Sequence, residues 1–201
     1  MNAYEQKQNN HCAGVHSNET ATGSWRQISH QAFATDEPVK KDMFTLWLDH
    51  GQKPQDASYQ YVVVPSIAAN TIDQYSKNLK VSILSNTKEM QAVQHLGLGI
   101  TEVIFYTPGT ITLSNGVAIT AESPCLVMIK TSGKSISRIA VSEPTEKLKS
   151  LQLSVNVPIN AAGNNWKATY DNAGKKSNII VDLPTDGMAG QSVVMEFSGK
   201  K

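Results

Sequence analysis

Charge of one sign is the first thing this chain lacks. Eighteen basic residues stand against seventeen acidic ones, a net charge of +1. No basic or acidic field is available to hold a polyelectrolyte, so nucleic acid is not an expected partner. Total charge is low as well, at 17% of residues against about 25% in soluble domains. Long hydrophobic runs are absent: the apolar stretches have strand length, too short for a bilayer-spanning helix, so no membrane partner is expected. Cysteine is nearly absent. Cys12 and Cys125 allow one bridge or none, which excludes a disulfide framework. A bridge closing so long a loop would be strongly stabilising. Cys125 lies in the apolar run CLVMI and Cys12 in a polar tail, however, so two free thiols are expected. The opening MNAYEQKQNN has neither a basic n-region nor an apolar h-region, so it is not a signal peptide. Either a cytoplasmic protein or a piece of something longer fits such a start.

What fills the place of charge is uncharged polarity: 60 Ser, Thr, Asn and Gln residues against 35 charged ones. Hydrophobic residues still reach 40%, enough to exclude a wholly disordered chain. The 201 residues make one large domain or two small ones.

Residues 1–42 contain few large apolar side chains and three of the five histidines, the texture of a loop or tail. From residue 43 onward Val and Ile total 27 against 12 Leu, the bias of a pleated, half-buried backbone. About twelve strand-like runs follow, among them MFTLWLD (43–49), YQYVVVP (59–65), LKVSIL (79–84) and CLVMIK (125–130). Ser114-Asn115-Gly116 marks a hairpin, and Gly133-Lys134, Glu143-Pro144, Gly163-Asn164 and Asp186-Gly187 mark further turns. Short strands at close spacing predict an all-β fold of antiparallel β-sandwiches with at most one short helix, placed over Ser66 to Lys77. A boundary falls near Asn78–Lys80, dividing the chain into 1–80 and 81–201. The stretch AAGNNWKATYDNAGKKSN, holding Trp166 and Tyr170, reads as a long hairpin or loop.

Few constellations carry chemistry. His11-Cys12-x3-His16 has metal-ligand types but no fourth ligand nearby, so a solvated tail is expected and no metal is assigned. Asp49-His50-Gly51 ends a strand; neighbours on a strand face opposite ways, so a hydrogen-bonded turn is expected rather than a dyad. Leu96-Gly97-Leu98-Gly99 is only a G-x-G fragment. No nucleophile elbow, zinc-protease helix or P-loop occurs, and no cofactor is implied. Tyr59 and Tyr61 share one face of an extended chain, either as a sugar-stacking platform or as core or interface tyrosines. The three tryptophans, Trp25, Trp47 and Trp166, raise the same question.

Several runs, in order, resemble one family. They are Gly23-Ser24-Trp25-Arg26-Gln27-Ile28, Phe44-Thr45-Leu46-Trp47-Leu48-Asp49-His50-Gly51, Lys53-Pro54 and Tyr59-x-Tyr61-x-x-x-Pro65. Then come Ile83-Leu84-Ser85-Asn86-Thr87, Gln91-Ala92-Val93 and Val141-Ser142-x-Pro144-Thr145. The set resembles the C-terminal β part of the family 8 polysaccharide lyases, which include chondroitin AC, hyaluronan and xanthan lyases. It covers about residues 23–145.

The resemblance implies that residues 1–80 end the family's central sandwich and 81–201 form its small C-terminal sandwich. It also implies a secreted or periplasmic enzyme that cleaves uronic-acid polysaccharides, such as chondroitin or hyaluronan, by β-elimination. That reaction needs a group to neutralise the uronate, a base for the C5 proton and an acid for the leaving oxygen. The family takes these groups from an N-terminal helical toroid that has no counterpart here, so no residue of this chain is assigned catalysis and the chain alone is expected to be inactive. Trp25, Asp49, His50, Gly51, Tyr59, Tyr61, Pro65 and Gln91 are then structural motif residues. Two other readings are open: a free-standing carbohydrate-binding module presenting Trp166 and Tyr170, and a small lyase using His50 with Tyr59 or Tyr61.

Overall fold

A ladder needs backbone N–H and C=O groups, which every non-proline residue has, and not apolar alternation. The computed structural model, which describes residues 13–197, shows this at its start. β1 (Ala13–Gly23) pairs antiparallel with β2 (Val39–Asp49) over eleven positions, Ala13 opposite Asp49 and Gly23 opposite Val39. The loop or tail expected over 1–42 is corrected for this stretch. AGVHSNETATG has one large apolar residue, so no period-2 pattern announces the strand. Between the strands α1 (Trp25–Ile28) is one turn, its entry held by the Ser24 amide donating to Gln27 Oε1 at 3.0 Å. The strand expected over 59–65 does not form either. The sheet holds β1 and β2 only, and among the described residues Tyr59–Pro65 joins neither of its edges; Tyr59 and Tyr61 stack on each other beside His50 instead. The expected helix is trimmed to a 3₁₀ turn over Ala69–Thr71 and α2 (Ile72–Lys77); Ser66, just after Pro65, has a positive φ of 60° and cannot lie in it.

The chain divides into two units, Met1–Lys77 and Asn78–Lys201. The second follows the apolar alternation closely. β3 (Val81–Asn86), β4 (Met90–His95), β5 (Ile100–Phe105), β6 (Gly109–Thr112), β7 (Ala118–Ala121), β8 (Cys125–Ser132) and β9 (Ser135–Ser142) are joined by short turns. β10 (Ser150–Val155), β11 (Ala161–Ala162), β12 (Trp166–Asp171), β13 (Lys176–Asp182) and β14 (Val193–Glu196) complete the unit. Two six-stranded antiparallel sheets result, ordered β11-β12-β13-β10-β7-β6 and β14-β9-β8-β5-β4-β3. The stretch holding Trp166 and Tyr170 is the β12–β13 hairpin, Trp166 opposite Val181 and Tyr170 opposite Ser177.

Every second residue of β8 and β13 is buried: Cys125, Val127 and Ile129 on one sheet, Ile179 and Val181 on the other. With Ile119, Ile139, Leu151 and Met195 they form one core between the sheets, each side chain contributing about 1.5–3 kcal/mol of burial. The first unit contrasts sharply. Ala34 is its one buried hydrophobic residue among those described.

Candidate functional site

In the first unit Asp49, His50, Gly51, Tyr59 and Tyr61 come together at and just after the end of β2, whereas Trp25 opens α1 beside the Gly23–Val39 end of the ladder. Asp49 Oδ1 accepts the Gly51 amide at 2.8 Å, and Gly51 takes a φ of 74° that favours glycine. Asp49 thus closes a local turn. His50 and Tyr59 follow, ring centroids 6.1 Å apart, and Tyr59 and Tyr61 lie nearly parallel at 6.2 Å. Tyr59 is 57% and Tyr61 70% exposed, so in this unit they are not core residues. Trp25 is also exposed, and Pro65 opens a turn with Ser66.

In the second unit Gln91 lies on the solvent side of β4 and accepts the Tyr106 hydroxyl at 3.1 Å. Trp166 and Tyr170, four residues apart on β12, flank buried Ala168 and are themselves partly buried. Trp166 packs on the core and meets Phe197 edge-on at 5.3 Å; a Cβ on Gly163 would collide with its indole. This packing gives the indole a role inside the sandwich.

Two features escaped the sequence. Glu143 is 3% exposed and wholly wrapped by the loop after β9. Its Oε1 accepts the Thr145 amide at 2.7 Å and the Thr145 hydroxyl, and its Oε2 accepts the Lys147 and Leu148 amides at 2.7 and 3.1 Å. Burial opposes its ionisation, but the bonds from Thr145, Leu148 and Lys147 together outweigh it and hold the pKa at about 2. Nearby Cys125 is a free, buried thiol. Burial, and secondarily the Glu143 charge, push its pKa up to about 12, so it stays neutral and unreactive. Val141-Ser142-x-Pro144-Thr145 was legible as a motif, but not that its unassigned middle residue is a buried anion.

The second feature is a cleft of about 540 Å³ where the β4–β5, β6–β7 and β8–β9 turns converge. Gln94, Ser114, Asn115, Lys130, Thr131 and Ser132 supply its polar lining, with Leu96 and Leu98 beside them. Asn115 Nδ2 donates to Thr131 Oγ1 at 3.0 Å and to the Gly133 carbonyl, tying two of the turns together. The Ser-Asn-Gly and Gly-Lys turn signals marked these turns without showing that they meet.

His11 and Cys12 of the metal-like motif lie outside the described residues. Among the described residues no group of three His, Cys, Asp or Glu side chains is placed to hold a metal. No helix there is long and apolar enough to cross a membrane.

Residues 11–76 match the profile of "Polysaccharide lyase family 8, super-sandwich domain", and residues 82–152 match "Polysaccharide lyase family 8, C-terminal beta-sandwich domain". The chain belongs to polysaccharide lyase family 8. Among family 8 relatives, the chondroitinase-AC of Pedobacter heparinus is 32% identical over 182 residues, which is 90% of this chain and 23% of the relative. The hyaluronate lyase of Thermasporomyces composti is 28% identical over 176 residues, covering 87% of this chain and 21% of the relative. A chondroitinase AC lyase solved with bound oligosaccharides superimposes with a TM-score of 0.69 at 29% identity, over 90% of this chain and 24% of that one. The chain therefore spans under a quarter of the lyases it matches. The strands of the second unit continue past the segment matched by the family profile, since β11–β14 complete both sheets.

Proposed function

We propose that this chain is the non-catalytic C-terminal β part of a glycosaminoglycan lyase, supporting a helical catalytic toroid and contacting the uronic-acid polysaccharide. One observation carries the reading. The segment matching the super-sandwich domain leaves Trp25, Phe33, Phe44, Trp47, Tyr61 and Val63 exposed. So many large apolar side chains left exposed in a unit with one buried hydrophobic residue among those described call for a cover, and the natural cover is the rest of such a sandwich. The chondroitinase and hyaluronate lyase relatives supply the substrate class, chondroitin or hyaluronan, and family membership suggests a secreted or periplasmic setting.

β-Elimination needs a neutraliser for the uronate, a base and an acid within reach of one sugar. The His50–Tyr59–Tyr61 row brings a half-buried imidazole together with two exposed phenols, without the enclosure that makes such groups effective. The chain by itself is therefore expected to form no unsaturated uronate, read by ultraviolet absorbance, from chondroitin or hyaluronan. Mixed with a separately made N-terminal part of the Pedobacter chondroitinase, it is expected to co-elute as a complex and to blue-shift its tryptophan emission. Product from the chain alone, or two partners that stay separate at micromolar concentration, would refute the reading.

A further inference from the structure

We infer that the cleft at the turn end of the second unit is a subsite for one acidic sugar unit of a polysaccharide; the choice of a polysaccharide rests on the function proposed above. A bound uronate or sulfated sugar asks for a cation, donors and acceptors for ring hydroxyls, and an apolar surface for its C–H face. The cleft has each. Lys130 lines it, makes no ion pair among the described residues, and no carboxylate shares the lining. The chain of Lys134 lies over the neighbouring β6–β7 turn, its Cε 4.0 Å from where a Cβ on Gly116 would stand. Ser114 and Ser132 also line the cleft, and their hydroxyls make no hydrogen bond among the described residues. Leu96 and Leu98 stand exposed beside them, at 53% and 58%.

The frame is built rather than incidental. Gln94 is buried and anchors the β6–β7 turn, its Oε1 accepting the Ser114 amide at 3.3 Å. Thr131 is tied to Asn115 and, through its amide, to the Gly99 carbonyl at 2.8 Å. Gly99, at φ 64°, approaches Thr131 so closely that a Cβ would strike its carbonyl oxygen. Directly across the ladder from Gln94, Thr101 is fully buried with its hydroxyl unpartnered among the described residues. Such a group is rare in a finished core, and here it lies opposite Gln94, which lines the cleft. The volume sits within the roughly 300–1,000 Å³ of small-molecule sites, enough for a sugar unit of a longer chain.

The test uses the full chain, isotope-labelled, titrated with hyaluronan tetrasaccharide, sulfated chondroitin tetrasaccharide and neutral cellotetraose. Amide shifts confined to His95–Gly99, Ser114–Asn115 and Lys130–Gly133 are expected with the two acidic probes. Lys130→Ala is expected to weaken them about five- to tenfold, and Leu98→Ala by a similar factor; both residues are exposed, so neither change threatens the core. No shift at these amides up to about 10 mM probe, equal shifts with cellotetraose, or an unchanged affinity in Lys130→Ala overturns the subsite. Shifts at His50, Tyr59 and Tyr61 instead would overturn the cleft and leave the lyase reading standing. A cleft that binds while the chain fails to join its N-terminal partner would do the reverse.

Discussion

Glu143→Gln tests the reasoning about the buried carboxylate most directly. The wild-type carboxylate accepts four bonds, two at each oxygen. An amide has one oxygen. Placed toward Lys147 and Leu148, it keeps those two bonds but turns its NH₂ on Thr145, whose hydroxyl can rotate to accept while its backbone amide loses its acceptor. That lost donor costs about 1–3 kcal/mol, and changing two charge-assisted bonds into neutral ones costs about 1 kcal/mol each. Thr145, Lys147 and Leu148 are exposed, so water recovers part of the loss. The expected cost is about 2–3 kcal/mol at pH 7. The pKa gives a similar scale, since a drop from 4.5 to about 2 corresponds to about 3 kcal/mol before discounting for solvent.

The sign follows from linkage. The folded pKa lies below the unfolded one, so the stabilisation is complete above about 4.5 and fades as pH falls toward about 2. Amide hydrogen exchange of core residues such as Ile129 and Ile179 reads the second unit by itself, without assuming that both units unfold together. The variant is expected to lose protection at pH 7, to lie much closer to wild type near pH 2.5, and to converge on it below about pH 2. A deficit of equal size at both pH values, or none at pH 7, would show that the charge is not what the loop is built around.

Three further outcomes are expected. Cys125, with its pKa up near 12, should resist a thiol reagent at pH 8 in the folded chain, and labelling should appear only in denaturant; fast native labelling would contradict its burial. Trp166→Ala should destabilise the second unit by about 2–4 kcal/mol in denaturant melts, because the indole packs on the core and Phe197. Lost polysaccharide retention with unchanged stability would favour the binding-platform reading of Trp166 and Tyr170 instead. Gly99→Ala should cost at least about 2 kcal/mol by thermal denaturation, from its left-handed φ and the clash with Thr131; an unchanged midpoint would mean that the two turns part easily.

Much of the second unit was legible because its strands alternate. β8 and β13 bury every second residue, and Ser114-Asn115-Gly116 forms its hairpin with Gly116 at φ 83°. β1 was not legible, since a ladder can be built on backbone alone. Tyr59–Pro65 misled for the opposite reason: its side chains suit a strand, but propensity alone supplies no ladder, and the segment joins no edge of the β1–β2 sheet. The site was less legible still. Asp49 and Gly51 close their turn through a bond two residues long, which spacing can foresee. The cleft draws on residues from Gln94 to Gly133, which spacing cannot.

What the sequence determined by itself was therefore local: the strand periodicity, the turns, the weak charge, and the ordered motifs that mark family 8. The tertiary structure alone decided that Glu143 is a buried anion, that Trp166 packs inward, and that three turns meet around Gln94 and Thr131. Local rules act within one strand or one turn. Which turns and faces come together depends on how two sheets bury their apolar sides against each other, and no single segment encodes that.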